Sequence, residues 1–167
     1  MRCFNVILLI AFLFVAGSSP LYPKGKKAAK TMDKALATMI ERGNFAIDIN
    51  RMNPMGGQSR VVTYSYGITL RNDSVFTHLP YIGELYSVTY SSENGMNFDA
   101  PVSRYRVVRK KNGTAKVSFD AETQEGTFQF KIDISVNGAA LVYVSAMRRS
   151  SISYNGEVIQ PAESSSR

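Results

Sequence analysis

Residues 127–147 read TFQFKIDISVNGAALVYVSAM. Phe128, Phe130, Ile132, Ile134 and Val136 alternate there with Thr127, Gln129, Lys131, Asp133 and Ser135. A period of two gives a strand with one apolar face. Asn137-Gly138 follows, a pair that tolerates positive φ at both central positions of a tight turn, and a second run of strand-forming residues comes after it. The pattern predicts an antiparallel hairpin with a two-residue turn. Pairing across that turn sets Ile134 against Leu141, Ile132 against Tyr143 and Phe128 against Met147, apolar with apolar.

The same period runs upstream as far as Gly43. Phe45, Ile47 and Ile49 alternate with Ala46, Asp48 and Asn50, and Val62, Tyr64, Tyr66, Ile68 and Leu70 lead into Asn72-Asp73. A two-residue turn there pairs Leu70 with Val75 and Tyr66 with Leu79. Asn112-Gly113 reads differently. A two-residue turn would oppose Phe119 to Arg106 and place a charge on the core face, whereas a three-residue loop over residues 111–113 opposes Val107 to Val117 and Tyr105 to Phe119. The looser loop is favoured, and it leaves Arg104, Arg106, Lys116 and Asp120 facing water. Residues 85–90 read as a further strand followed by a loop at 91–95, and residues 150–159 as a last one, with Asn155-Gly156 a turn or an internal bulge.

Only one segment has helical spacing. Ala28, Met32, Ala35, Leu36, Met39 and Ile40 recur at three- and four-residue steps, and Gly43 offers the left-handed position that ends helices. Lysines crowd the start of this segment, where the helix dipole disfavours cations, so its stability must come from packing on a sheet. The expected fold is mainly β (α+β): an antiparallel β-sandwich or partly open β-barrel of about eight strands with one N-terminal helix.

The first residues belong to something else. Arg2, an eleven-residue apolar run at 6–16 and the small residues Gly17, Ser18 and Ser19 have the make-up of a secretory leader cut near Ser18 or Ser19. The run is shorter than the roughly 20 residues a membrane-spanning helix needs. The expected organisation is a signal peptide over 1–19, a basic linker PLYPKGKK over 20–27, a single domain over 28–160 and a polar tail over 161–167. Loss of the leader removes Cys3, the only cysteine, and lowers the formal charge from +7 by the one unit of Arg2. Disulfides, thiolate metal sites and a cysteine nucleophile are then excluded, so the core must hold the domain together. Export to the periplasm, outer envelope or medium sets aside nucleic acid as a partner, and no transmembrane helix is expected in the mature chain.

Five stretches, LPYIGELY at 79–86, GMNFDAPVSRYRV at 95–107, the hairpin quoted above, RRSSISYNGEV at 148–158 and ERGNFAIDINRMNP at 41–54, together resemble the bacterial domain-of-unknown-function family 4251 (DUF4251). The resemblance covers residues 26–160. It implies a small exported or lipid-anchored envelope protein with no assigned activity. A basic residue is common in that family where Glu84 stands here, which argues against reading that position as an anion-binding cation.

Few residues carry chemistry. His78 is the only histidine, so a histidine-rich metal site and a two-histidine mechanism are excluded, and its register places it on the polar side of a strand. Glu84, Glu93 and Asp99 are the carboxylates a hydrolase would draw on, although solvated surface charge explains them as well. Gly56-Gly57 lacks a phosphate-loop motif, RKK at 109–111 reads as a hairpin tip, and Arg148-Arg149 marks a strand end or faces an anionic partner. Tyr81, Tyr86 and Tyr90, with Glu84 beside them, are the candidate ligand-binding residues, since tyrosine faces bind sugars or apolar ligands when they line a groove. Core packing uses the same rings. The functional expectation is a non-enzymatic ligand-binding or envelope-interaction module without cofactor or metal, its partner a glycan, a lipid or an envelope protein. A carboxylate-dependent hydrolase and a structural subunit of a surface complex are the alternatives.

Overall fold

The computed structural model describes residues 31–84 and 95–161. One helix, α1 (Lys34–Glu41), precedes eight strands: β1 (Phe45–Pro54), β2 (Arg60–Arg71), β3 (Ser74–Pro80), β4 (Gly95–Arg109), β5 (Ala115–Thr123), β6 (Gly126–Ile134), β7 (Ala139–Ala146) and β8 (Arg149–Ile159). Each strand pairs antiparallel with the next, and β8 returns to pair with β1 from Ala46 and Ile159 to Pro54 and Ile152. The sheet is therefore a closed up-and-down barrel rather than a sandwich or an open sheet. Closure leaves neither terminal strand as a free edge. The leader, the linker, the strand expected at residues 85–90 and most of the tail lie outside the described residues.

Alternation fills the inside. Phe45, Ile47, Ile68, Leu79, Phe130, Ile132 and Tyr154 are all fully buried, and the Phe119 and Phe130 rings stack at 4.8 Å with planes 8° apart. Eight strands enclose just enough room for side chains to meet in the middle, so this barrel is a packed core.

Turn geometry sets the registers. Asn72 and Asp73 both have positive φ, +51° and +56°, which is the two-residue turn expected, and Leu70 pairs with Val75. That ladder ends at Gly67 and His78, one step short of Tyr66 and Leu79, because β2 bulges away from β1 between Val61 and Tyr66. At Asn112-Gly113 the expected three-residue loop is present: Lys110 and Thr114 bond to each other, Gly113 has φ +83°, and Val107 opposes Val117.

The Asn137-Gly138 expectation is corrected. Its turn is also a three-residue loop, with the Ser135 N–H donating to the Ala139 carbonyl at 2.8 Å and Gly138 alone at positive φ, +87°. The Asn137 side chain accepts from the Ala139 N–H and holds the asparagine in the ordinary turn conformation. The partners of Ile134 and Ile132 are thus Ala140 and Val142, with Phe128 opposite Ala146. Leu141, Tyr143 and Met147 point outward. A one-residue slip exchanges the two faces of a strand.

A second correction concerns Asp120. Between Ser103 and Arg106, β4 bulges, with Arg104 at φ +55°, so that Tyr105 turns inward and Arg104 outward. Arg104 closes over Asp120 in an ion pair, and the aspartate is 8% exposed rather than facing water.

Helix α1 is capped by Asp33, whose carboxylate accepts from the Ala35 N–H, and it ends in paired bonds from Gly43 to Ile40 and from Asn44 to Met39 around the positive φ of Gly43. Ala37 and Ile40 are buried against the barrel end, while Ala35, expected on that face, is exposed. Tyr105 reaches from inside the barrel to donate its hydroxyl to the Ile40 carbonyl, and Glu41 pairs with Arg109 at 2.9 Å.

Two outcomes check this arrangement. Val142→Ala is expected to cost about 2 kcal/mol in denaturant unfolding and Leu141→Ala about 0.5 kcal/mol or less; equal costs would restore the two-residue turn. Burial raises the Tyr105 phenol from 10.0 to about 12. The folded chain then keeps a proton that the unfolded chain releases in that window, so stability falls as pH rises from 10 to 12. Tyr105→Phe removes this part of the alkaline loss, which pH-dependent melting would show as a shallower decline.

Candidate functional site

Residues 81–84, which follow β3, sit at the barrel end opposite α1. Pro80 ends β3 without an N–H to continue the ladder, and its carbonyl accepts the Tyr154 hydroxyl at 2.7 Å. Burial, reinforced by the neighbouring Tyr81 and opposed by Arg149, holds the Tyr154 phenol well above the usual tyrosine range.

Tyr81 then folds back over this end with its ring buried. Its hydroxyl lies 3.0 Å from the Glu84 carbonyl, 3.1 Å from the Ser150 carbonyl and 3.0 Å from the Ser150 hydroxyl. The Glu84 N–H donates to Ser150 Oγ at 3.1 Å, and the Ser150 N–H donates back to the Glu84 carbonyl at 3.0 Å. One proton assignment fits the set: Ser150 Oγ accepts from the Glu84 N–H and donates to Tyr81, whose single hydroxyl proton is shared between the two carbonyls. A side chain on Gly83 would bring Cβ within 2.4 Å of Ser150 Oγ and 2.6 Å of the Tyr81 hydroxyl. That close approach requires glycine.

Arg149 completes the rim. Its guanidinium pairs with Glu125, donates to the Gly95 carbonyl at 3.2 Å, and lies 5.3 Å from the Tyr81 ring and 5.8 Å from the Phe128 ring. Its side chain is only 12% exposed, so these contacts act with little screening. The arginine read as facing an anionic partner faces one inside the chain.

Of the four candidate ligand residues, Tyr81 is therefore buried with its hydroxyl engaged, and Glu84 is exposed with its main chain tied to Ser150. Tyr86 and Tyr90 lie outside the described residues, as does Glu93. Asp99 is on the outer face of β4, opposite Phe76, and does not share the rim with Glu84.

A different aromatic group is open to solvent. On β2 and β3, Gly67 stands opposite His78, and the Tyr66 ring stacks on the imidazole at 5.0 Å and 23°. Tyr64 meets Tyr66 edge-on at 6.3 Å and is 75% exposed. Tyr66 is half-buried against the core, so Tyr64 and the His78 imidazole form the exposed part of this platform. Such a surface can take the apolar face of a sugar ring while its polar edges bind hydroxyls. The signal in the sequence was the glycine opposite the only histidine, which has meaning only once register is known. Among the described residues no group of three His, Cys, Asp or Glu side chains is placed to hold a metal.

The rim and the platform predict different mutant behaviour. Tyr81→Phe keeps the ring and is expected to cost about 1 to 2 kcal/mol through the hydrogen bonds lost. Gly83→Ala is expected to cost at least as much, because the added carbon overlaps two oxygens. Urea unfolding would measure both, and an unchanged midpoint for either would remove the rim from the structure's support.

The family model described as Domain of unknown function (DUF4251) matches residues 27–158. No curated protein matches the chain. A crystal structure of a DUF4251 family protein from Bacteroides eggerthii is similar in fold, with a TM-score of 0.58 at 16% identity over 74% of this chain and 84% of that one. With the family model spanning both the barrel and its helix, the chain belongs to the DUF4251 family.

Proposed function

We infer that this protein is an exported, non-enzymatic binding module that meets its ligand on the outside of the barrel, with Tyr64, Tyr66 and His78 taking a sugar ring of a glycan. The observation that carries this reading is the placement of the rings. The barrel interior is filled by apolar side chains, whereas His78, stacked on the half-buried Tyr66, and the highly exposed Tyr64 face solvent on the outside. An eight-stranded barrel whose interior is filled leaves no lumen for a ligand, so recognition falls to the surface.

Export rests on the leader-like residues 1–19. Among the described residues no helix is long and apolar enough to cross a membrane. The alternatives gain less from the geometry. Glu84 and Asp99 lie on separate surfaces, which gives a two-carboxylate hydrolase no shared cleft. The β1–β8 ladder leaves neither terminal strand free for a partner to extend, which weakens the case for a structural subunit.

The test is titration of the purified protein with a panel of neutral oligosaccharides, followed by amide chemical shifts. Saturable binding with shifts centred on residues 64–67 and 78, weakened about tenfold or more by Tyr64→Ala with unchanged melting, is expected. Binding that survives both Tyr64→Ala and His78→Ala, or no binding by any oligosaccharide, overturns the platform.

A further inference from the structure

The bulge that turns Arg104 outward also builds a basic trough on another part of the barrel, separate from the aromatic platform and independent of it. Arg106, Ser118 and Lys131 form one cross-strand row on β4, β5 and β6, all facing out. The next row carries Asp120 and Gln129, with Arg104 folded over the aspartate. These six residues line a depression of about 270 Å³ running along β5.

Its middle strand contributes only the short Ser118 and Asp120, so the floor is low, while β4 and β6 raise long side chains on either side. Arg106 and Lys131 stand two strand spacings apart, roughly 10 Å between their backbones. Neither has an ion-pair partner among the described residues. Arg104 is paired yet 72% exposed, so the buried Asp120 holds one side of its guanidinium and leaves the rest of the fork toward the trough. A carboxylate that orients an arginine is the arrangement for binding a second anion with fixed geometry.

The geometry points to an oxyanion site: Arg104, Arg106 and Lys131 bind a phosphate, sulfate or carboxylate group across Ser118 and Gln129, with Asp120 as the positioning residue for Arg104. The group belongs either to a small soluble molecule, such as an acidic or sulfated sugar, or to an anionic lipid headgroup. The chemistry recognised is the same.

Isothermal titration of the purified protein with inorganic phosphate, inorganic sulfate and glucuronate, alongside pelleting with phosphatidylglycerol vesicles, separates the two sources. Saturable binding of a free anion assigns a soluble ligand, and vesicle binding without it assigns a headgroup. In either case Arg106→Gln with Lys131→Gln is expected to weaken binding about tenfold or more, while Arg60→Gln with Lys111→Gln, the same charge change elsewhere, leaves it within about twofold.

Asp120→Asn gives the sharper result. It raises the net charge by one, so diffuse attraction predicts tighter binding, whereas loss of the oriented fork predicts weaker binding by several-fold. Arg104→Lys keeps the charge, loses the fork and makes the same prediction if the asparagine variant does not fold. Equal loss in the two double variants, unchanged or tighter binding in both Asp120→Asn and Arg104→Lys, or no binding of any anion or vesicle overturns the site.

Discussion

The ladder between β1 and β8 is the contact on which the rest of the molecule depends. Without it the eight strands would be an open sheet with two bare edges and an apolar face in need of a cover. With it, every strand has two neighbours and the apolar face becomes an interior. The bond joins residues from the two ends of the domain, Ala46 to Ile159 and Pro54 to Ile152. Gly156 allows this, since any Cβ there would come within 2.2 Å of the Asp48 carbonyl. The helix has correspondingly less to do. It covers one mouth, anchored through the Ile40 carbonyl and the Glu41–Arg109 pair, rather than shielding a sheet face.

Local pattern made most of the strands readable, because Phe128, Phe130, Ile132 and Ile134 differ sharply from the polar residues between them, and all four are buried. Where that contrast fails, so does the register. β7 reads Ala-Ala-Leu-Val-Tyr-Val, apolar on both faces, so its pairing was left to the turn. Asn-Gly is compatible with both a two-residue and a three-residue turn, and at residues 112–113 an arginine across the strand decided between them. No charge arbitrates at 137–138. Closure was equally invisible, since alternation says which side of a strand is buried and nothing about whether the last strand meets the first. Asp120 shows the related gap between facing outward and being exposed. Arg104, one position beyond the Ser103 that pairs with Asp120, folds over it.

The aromatic residues separate in the same way. Tyr81 and Tyr64 are chemically alike, and in sequence both stand in strand-like, tyrosine-rich surroundings. Tyr81 lies where the chain turns back over the barrel, with two carbonyls and a serine hydroxyl to meet its own, and is part of the fold. Tyr64 stands in the β2 bulge, largely exposed, and is part of the surface. The difference comes from which backbone groups lie within reach, and that is set by strands distant in sequence.

Arg149 and Ser150 hold the chain at Glu84 and again at Gly95. Residues 85–94 thus depart from and return to one fastened pair of posts. One strand therefore fixes both ends of the closure, so a change at the start of β8 releases two points of the chain that lie eleven residues apart.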